Sequence, residues 1–550
     1  MTIPAYHTPA AATPDGAPDT AAAPRRSLLR HAPAIVILLI VVADAAQFPD
    51  PDLWGHLRFG QAALASGHVI VRDTYSYSVA GGVWRNHEWL TEIVMALAYN
   101  SLGVFGLKLW KFACVAATIL LMALALAETG ASPAIQMNTL GLAALAMVPQ
   151  NQFRPQLFTF MLLAATLALL TRDNYRGRAP LWLMVPIMAL WGNLHGGFII
   201  GIATLATYAG VVAVRDWLAG RGLGRALRLG LIALAGTLAT LISPYGINAW
   251  LVVLNALKHS ATQPVIADWQ PLLSAIALGW STHPADTIFF ICGALVMFAF
   301  ALVFIRTPQA GDLPLVAIAA ILSVAAFIAV RNMPLAMIAC AAPLARHVEL
   351  LFARRRDRQL AQGLAGPPAT GADDAVAAAV SADDRPGSNP WLVASIAIVL
   401  ALVSGIFSTH ISVGAESPVG AAAFMRRHDL RGNILSAFGN GEYLIWHLAP
   451  ASRVFIDGRY DTVYPQRVVD QYLDFINARP DALAVLQAYP HDFVLVSANG
   501  PALGVMRHAP DWTLIYRDPH WVLFARADSA AAKMPGVPFT GNPPPISNFP

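Results

Sequence analysis

Long apolar runs separated by short polar segments dominate the chain. A helix needs about 20 apolar residues to cross a bilayer, and about eleven such runs are predicted. They start near Ala32, Val104, Pro133, Pro155, Leu181, Gly196, Ala226, Asp286, Leu313, Pro334 and Trp391. The run from Leu181 to Leu194 is short and reads as either half-buried or broken near Gly196 and Gly197. Because the runs are continuous rather than alternating, a membrane β-barrel is excluded. From about residue 416 to 526 the pattern changes. Short β-branched or aromatic runs at 433–437, 453–456, 493–497, 512–516 and 521–524 flank helical patterns such as 465–477. This predicts a small α/β domain. It holds no Gly-rich strand-turn-helix fingerprint and no P-loop, so nucleotide binding is not expected there.

The expected fold class is therefore an α-helical polytopic membrane bundle of about eleven spans with a C-terminal extracytoplasmic α/β domain. Residues 1–30 read as a disordered cytoplasmic N-terminus, rich in Ala, Pro and Thr up to residue 24. The bundle covers 31–359 and includes a long first outer loop at 48–88. A Gly/Ala/Asp/Pro-rich stretch at 360–389 reads as a flexible cytoplasmic linker, and 390–410 as the last span. The α/β domain covers 411–527, and the Pro-rich tail at 528–550 is expected to be disordered.

Composition agrees with the pattern. Of 550 residues, 56% are hydrophobic and 12% charged, and the mean hydropathy is +0.54. A soluble globular chain carries about 25% charged residues. This excludes a soluble enzyme, a disordered protein and a nucleic-acid binder as the whole molecule. The net charge of +4 matters less than where the arginines lie. Arg25, Arg26 and Arg30 precede the first span, and Arg172, Arg176 and Arg178 follow the fourth. Arg215, Arg221, Arg225 and Arg228 lie between the sixth and seventh, and Arg354, Arg355, Arg356 and Arg358 follow the tenth. Basic loops stay cytoplasmic, which places the N-terminus inside and the α/β domain outside. A signal peptide cleaved near Ala45 is the alternative reading of the first run, and it leaves the remaining topology unchanged. Cys114, Cys292 and Cys340 lie in apolar runs and read as small core residues.

The first outer loop holds the densest polar chemistry. Asp52 and His56 are four residues apart, so a helix from Asp52 places both on one face. Its apolar side, with Trp54, Leu57 and Leu64, suits the membrane surface. The loop ends in Trp84-Arg85-Asn86-His87-Glu88-Trp89, where a His-Glu pair meets returning apolar sequence. This is not a zinc-protease motif, because Thr91 stands where the second His belongs. Asp44 lies inside the first run. Other polar residues recur at outer span ends: Asn151, Gln152, Arg154, Gln156, Asn193, His195, Tyr245, Asn248, Asp268, Arg331 and Asn332. Ionisable groups at membrane depth usually face a cavity or a partner. Acids and cations gathered at one face suit an anionic, lipid-borne substrate.

Plainer readings stand beside these. Asp50 and Asp52 suit a helix cap. His87 and Glu88 suit interfacial polarity, and His195 a satisfied bundle histidine. Arg154 and Arg331 suit snorkelling anchors, and Trp54, Trp84 and Trp89 an aromatic belt. Asp457-Gly458-Arg459 reads as a turn with a local ion pair.

At these residues the chain resembles the GT-C-type glycosyltransferases, which include oligosaccharyltransferases, protein O-mannosyltransferases and the aminoarabinose transferases of lipid A. Asp50-Pro51-Asp52 stands where such families keep an Asp or Asp-x-Asp, and residues 54–64 resemble their helix along the membrane. Four pieces resemble bacterial members: Arg154-Pro155-Gln156, Asn193-Leu194-His195-Gly196-Gly197, Ser243-Pro244-Tyr245-Gly246 and Phe455-Ile456-Asp457-Gly458-Arg459. The chain departs from the oligosaccharyltransferases in one place. Phe438-Gly439-Asn440-Gly441-Glu442-Tyr443 stands where they carry Trp-Trp-Asp-Tyr-Gly, so peptide-sequon recognition is not implied.

The resemblance implies sugar transfer from a polyprenyl-phosphate donor to an extracytoplasmic acceptor (glycan, lipid or protein) at a bacterial-type cytoplasmic membrane. A hydroxyl acceptor needs a carboxylate base. Asp52 is the first candidate and Asp50 the second, with Glu88 a third acid. A leaving lipid phosphate needs Arg or a metal, and Arg154 and Arg331 are the candidates. His56, Arg58, His87, Gln156, His195 and Tyr245 are the remaining substrate-binding candidates. A divalent metal ion is an open cofactor, with Asp50, Asp52 and His56 its candidate ligands. Direct displacement with an Asp base implies inversion at the anomeric carbon. Two other classes compete: a transporter or flippase for a lipid-linked saccharide, which needs paired broken helices and mid-span charges, and a non-catalytic scaffold with an outer binding domain.

Overall fold

A computed structural model describes residues 50–258, 267–282, 284–361, 410–414, 416–534 and 547–549. The expected first span with Asp44, residues 362–389 of the expected linker and residues 390–409 of the expected last span lie outside the described residues. The early loop begins with helix α1 (Leu53–Ser66), which stops at Gly67. Gly67 takes φ +72, where a side chain is strained, and its N–H caps the Ala63 carbonyl. Among the described residues, eleven helices of the bundle follow: α2 (Trp89–Ala127), α3 (Pro133–Met147), α4 (Gln156–Arg176), α5 (Met184–Leu194), α6 (Phe198–Leu218), α7 (Gly224–Ala239), α8 (Ile247–Lys258), α9 (Leu272–Thr282), α10 (Pro284–Arg306), α11 (Leu313–Ile328) and α12 (Met333–Ala361).

Among the described residues, 6 helices are long and apolar enough to cross a membrane: Trp89–Ala127, Gln156–Arg176, Phe198–Leu218, Asp286–Arg306, Ala310–Ile328 and Val330–Gln359. The chain is an integral membrane protein. The runs expected from Pro133, Leu181 and Ala226 fold into shorter helices, so among the described residues the expected count is not confirmed. Two-thirds of the apolar window (67%) is buried in Gln156–Arg176 and in Val330–Gln359, against 28% in Asp286–Arg306. The first two therefore run through the middle of the bundle, and the third shows most of its apolar surface to the surroundings. The span expected from Val104 is the second part of α2, which breaks at Gly103 (φ +61).

The C-terminal domain contains β1 (Ser412–Val413), α13 (Val419–Arg427), β2 (Gly432–Leu435), α14 (Phe438–Leu448), β3 (Ser452–Val454), α15 (Gln466–Ile476), α16 (Ala484–Ala488), β4 (Phe493–Ser497), α17 (Ala502–Arg507), β5 (Trp512–Arg517), β6 (Trp521–Arg526) and β7 (Ser547–Asn548). Five strands form one sheet in the order β3-β2-β4-β6-β5. β2 runs parallel to β3 and β4, and β6 is antiparallel to β4 and β5. β4 reads Phe-Val-Leu-Val-Ser and is buried along four residues, as its central place requires. Of the tail expected to be disordered, Ser547–Asn548 pairs with Ser412–Val413, and Phe549 is buried.

The early loop is built onto the domain. Ser76 bridges Val454 in parallel, with the Tyr77 N–H donating to Val454 O and the Val454 N–H to Tyr75 O, each at 3.1 Å. The loop thus covers the β3 edge, which would otherwise present unpaired backbone groups. α1 rests on α2 and α14 rather than presenting a free apolar side. Trp54 and Trp84 are core residues, not belt residues. Trp54 packs on Tyr443 and Phe549, with ring centroids 5.1 and 5.3 Å away, and Trp84 packs on Phe59 at 4.8 Å.

Candidate active site between the bundle and the C-terminal domain

Where the early loop, the helix ends and the domain meet, they enclose a cavity of about 320 Å³. Its lining includes apolar Phe160, Ile199, Ile200, Val252, Val253 and Leu335. It also includes Asp52, His56, His87, Glu88, Arg154, His195, Asp268, Arg331 and Glu442.

Arg154 ties the acids together. Its Nε lies 2.8 Å from Asp50 Oδ2, its Nη2 3.3 Å from Asp52 Oδ2 and its Nη1 2.6 Å from Asp268 Oδ2. Asp50 also accepts the Asp52 N–H at 2.9 Å, which fixes the start of α1. Burial favours the neutral form of the Arg154 side chain, but Asp50, Asp52 and Asp268 outweigh it and hold its pKa well above the usual value. For Asp268, burial pulls upward, and the charges of Arg154 and Arg331 with two hydrogen bonds hold its carboxyl below the usual range.

Asp52 keeps one face toward the cavity. Burial, and then the nearby Asp50 charge, push its pKa up to about 7, against the opposing pull of Arg154 and His56. His56 Nδ1 meets Glu92 Oε1 at 3.3 Å, and Asn86 donates to the other Glu92 oxygen. Burial alone would lower the His56 pKa. The Glu92 hydrogen bond and the charges of Glu88, Glu92 and Asp52 instead raise it to about 9. Glu88 faces two histidines, His195 Nε2 at 3.4 Å and His87 Nε2 at 3.7 Å. His195 Nδ1 accepts the Gly197 N–H at 3.0 Å and lies 2.8 Å from Thr159 Oγ1. Its proton therefore sits on Nε2, toward Glu88. Burial pushes the His195 pKa down to about 3. Glu88 itself stays below the usual range, because His87, His195, His56 and Arg331 outweigh the effect of burial.

Arg331 differs from Arg154. Its guanidinium lies 4.4 Å from the Trp269 ring centroid, and among the described residues no carboxylate lies within salt-bridge distance of it.

The domain contributes Glu442, Gly458 and Tyr460. Glu442 is 3% exposed, and among the described residues its Oε2 has no hydrogen-bond partner. A Cβ at Gly55 would stand 2.0 Å from that oxygen. A Cβ at Gly458 would stand 2.5 Å from Asp52 Oδ1 and 2.9 Å from Glu442 Oε1. Glycine is what lets the two carboxylates approach the same spot. Burial and then the Asp52 charge hold the Glu442 carboxyl well above the usual range.

Of the residues expected from sequence, Asp52, His56, His87, Glu88, Arg154, Gln156, His195 and Arg331 line the cavity. Asp50, Arg58 and Tyr245 do not. Asp50 is turned to Arg154, and the Tyr245 hydroxyl donates to Ile70 O at 3.4 Å. Gln156 donates to Gln150 O at 2.9 Å. Arg154, a candidate for the lipid phosphate, is enclosed by three acids. The same guanidinium stands between Asp50 and Asp52, and His56 is directed at Glu92, so these three candidate metal ligands do not converge. Among the described residues no group of three or more His, Cys, Asp or Glu side chains is placed to hold a metal ion. Glu92, Glu442 and Tyr460 were absent from the expected set. Glu442 carried a signal in its Phe-Gly-Asn-Gly-Glu-Tyr stretch, while Tyr460 only followed a noted turn.

That turn is more than local. The Arg459 Nε and Nη2 donate to Asp457 at 2.8 and 2.7 Å, and Nη1 lies 2.8 Å from Asp73 Oδ1 in the early loop. Its guanidinium also faces Phe59, Tyr75, Trp84 and Tyr464 at 4.8 to 5.9 Å.

No family model matches the chain, and no curated protein matches its sequence. Its fold is similar to that of the archaeal oligosaccharyltransferase AglB from Archaeoglobus fulgidus, solved in complex with an inhibitory peptide and a dolichol-phosphate. That likeness has a TM-score of 0.53 at 11% identity and covers 92% of this chain and 75% of that one. The same enzyme tethered with an acceptor peptide gives 0.53 at 11% identity, over 86% and 69% of the two chains. ArnT from Cupriavidus metallidurans bound to undecaprenyl phosphate gives 0.44 at 15% identity, over 93% and 99%. The chain has the fold of the GT-C glycosyltransferases, as the resemblance of its motifs implied.

Proposed function

We propose that the protein transfers a sugar from a polyprenyl-phosphate donor to a hydroxyl-bearing acceptor on the outer face of a bacterial-type cytoplasmic membrane. In this reading the N-terminus lies inside and the cavity and C-terminal domain outside. The observation that carries the reading is one cavity holding a carboxylate of near-neutral pKa, Asp52, and a guanidinium, Arg331, that among the described residues has no carboxylate within salt-bridge distance, together with apolar lining residues. The AglB structure holds a dolichol-phosphate, an isoprenoid phosphate of the same chemical kind.

Asp52 takes the proton of the acceptor hydroxyl, and that oxygen attacks the anomeric carbon. The bond from the anomeric carbon to the phosphate oxygen breaks, and its electron pair leaves with the lipid phosphate. Arg331 takes up the charge developing there. Arg154 holds Asp50, Asp52 and Asp268 in place rather than meeting substrate. Direct displacement inverts the anomeric carbon. Such a base contributes about 10²–10⁴-fold. Asp52→Asn, folded and expressed normally, is expected to lose at least about 10²-fold in transfer of a radiolabelled sugar from polyprenyl-phosphate donors. Undiminished transfer would falsify the assignment. Arg331→Ala is expected to weaken binding of undecaprenyl phosphate by about tenfold or more, the scale of one charge-assisted hydrogen bond.

A further inference from the structure

Tyr460 has φ +39, a backbone conformation that a bulky aromatic residue adopts only when its surroundings enforce it. The surroundings do so here. Arg459, immediately before it, is clamped by Asp457 and Asp73. After it, the N–H groups of Val463 and Tyr464 both donate to Tyr460 O, at 3.0 and 2.8 Å. Strain held this firmly at a cavity has a use to explain it. The side chain lines the cavity and is backed by Phe438, 5.3 Å from ring to ring. Among the described residues its hydroxyl has no hydrogen-bond partner given by the structure. Its charged neighbours include Asp52, Arg154, Glu442 and Asp50 and Arg331.

That position has a chemical meaning if the transferase reading holds, and the inference rests on it. In a direct displacement the anomeric carbon lies between the acceptor oxygen, at the base, and the phosphate oxygen, at the cation. Tyr460 lines the same cavity as Asp52 and Arg331, and in this reading the sugar ring sits within that cavity. We propose that Tyr460 is a specificity-determining residue, whose ring packs against the transferred sugar and limits which sugars the site accepts. A flat aromatic face suits the apolar C–H side of a pyranose or furanose ring, and the strained backbone fixes its height over the cavity floor.

The test uses the full chain in lipid nanodiscs, as wild type, Tyr460→Phe and Tyr460→Asn. Asn tolerates the left-handed backbone conformation, so this variant removes the ring without adding strain. Each is assayed with synthetic polyprenyl-phosphate-linked pentoses and hexoses, and for binding of undecaprenyl phosphate, which carries no sugar. Tyr460→Asn is expected to melt no lower than wild type and to keep its affinity for undecaprenyl phosphate. Its KM for the preferred sugar donor is expected to rise about tenfold, with preference across the panel flattened. Tyr460→Phe, which keeps the ring, is expected to keep the preference across the panel. Unchanged selectivity in Tyr460→Asn overturns the inference, as does a parallel loss of undecaprenyl phosphate binding, which would place the residue at the phosphate. Equal losses in Tyr460→Phe overturn it too, in favour of the hydroxyl. If the wild type transfers from no donor, the transferase reading itself fails, an outcome distinct from these.

Discussion

Asp52 titrates near 7 in a site that also holds a histidine titrating near 9. A base acts only when ionised, so transfer is expected to fall as pH drops below about 7, approaching tenfold per unit. His56 is protonated throughout that range, and its positive charge lowers the Asp52 pKa. Removing it with His56→Gln is expected to move the acid limb of the pH–rate profile upward. A limb that stays in place or moves down would show that His56 does not act on Asp52. At this scale the sequence was legible where position alone marked a residue, as for Asp52, His56 and His87-Glu88. It was not legible where partners decide. Arg154 and Arg331 look equivalent in sequence, and only the three carboxylates around Arg154 separate them.

Among elements, the decisive fit is that of the start of α1 against α14 and the turn at Gly458. Gly55 and Gly458 leave room for the Glu442 and Asp52 carboxylates, and a methyl group at either would meet an oxygen well inside contact distance. Gly458→Ala is expected to cost about 1–3 kcal/mol of stability by overpacking. By displacing Asp52 it is expected to lower transfer by about 10²-fold. Thermal melting beside a transfer assay checks both. The strands were legible because β-branched and aromatic runs mark them, β4 at the residues expected. The length of individual helices was not. Runs such as those at α3 and α7 are apolar enough to suggest a crossing, but as helices they extend over only 15 and 16 residues. Nor does apolar content reveal that α2 begins at Trp89 and breaks at Gly103.

For the whole molecule, one side-chain link between early loop and C-terminal domain is Arg459, held by Asp457 and Asp73 within an aromatic enclosure. Removing one partner of a buried ion pair leaves the other charge unpaired, at a cost of about 3–5 kcal/mol. Arg459→Ala is expected to lose about that much stability and to loosen the cavity together with the domain. Retention of the wild-type melting temperature would show that the enclosure contributes little. The sequence marked Asp457-Gly458-Arg459 as a turn with a local ion pair, and that pair is there. Its reach to Asp73 was hidden, because nothing local ties residues so far apart in the chain.

The pairing of Ser76 with Val454 also bears on biosynthesis. The loop leaves the ribosome long before the strand it covers, so Asp73 and Tyr77 wait for their partners until nearly all the bundle has been made. The β3 edge, in turn, has its cover only if the loop has already reached the same side of the membrane. Excised and produced alone, residues 410–534 would carry that edge bare and pair with one another through it. Misplacing the first loop would therefore leave a chain whose last domain emerges with no edge to close against, a fault that quality-control proteases recognise as exposed strand.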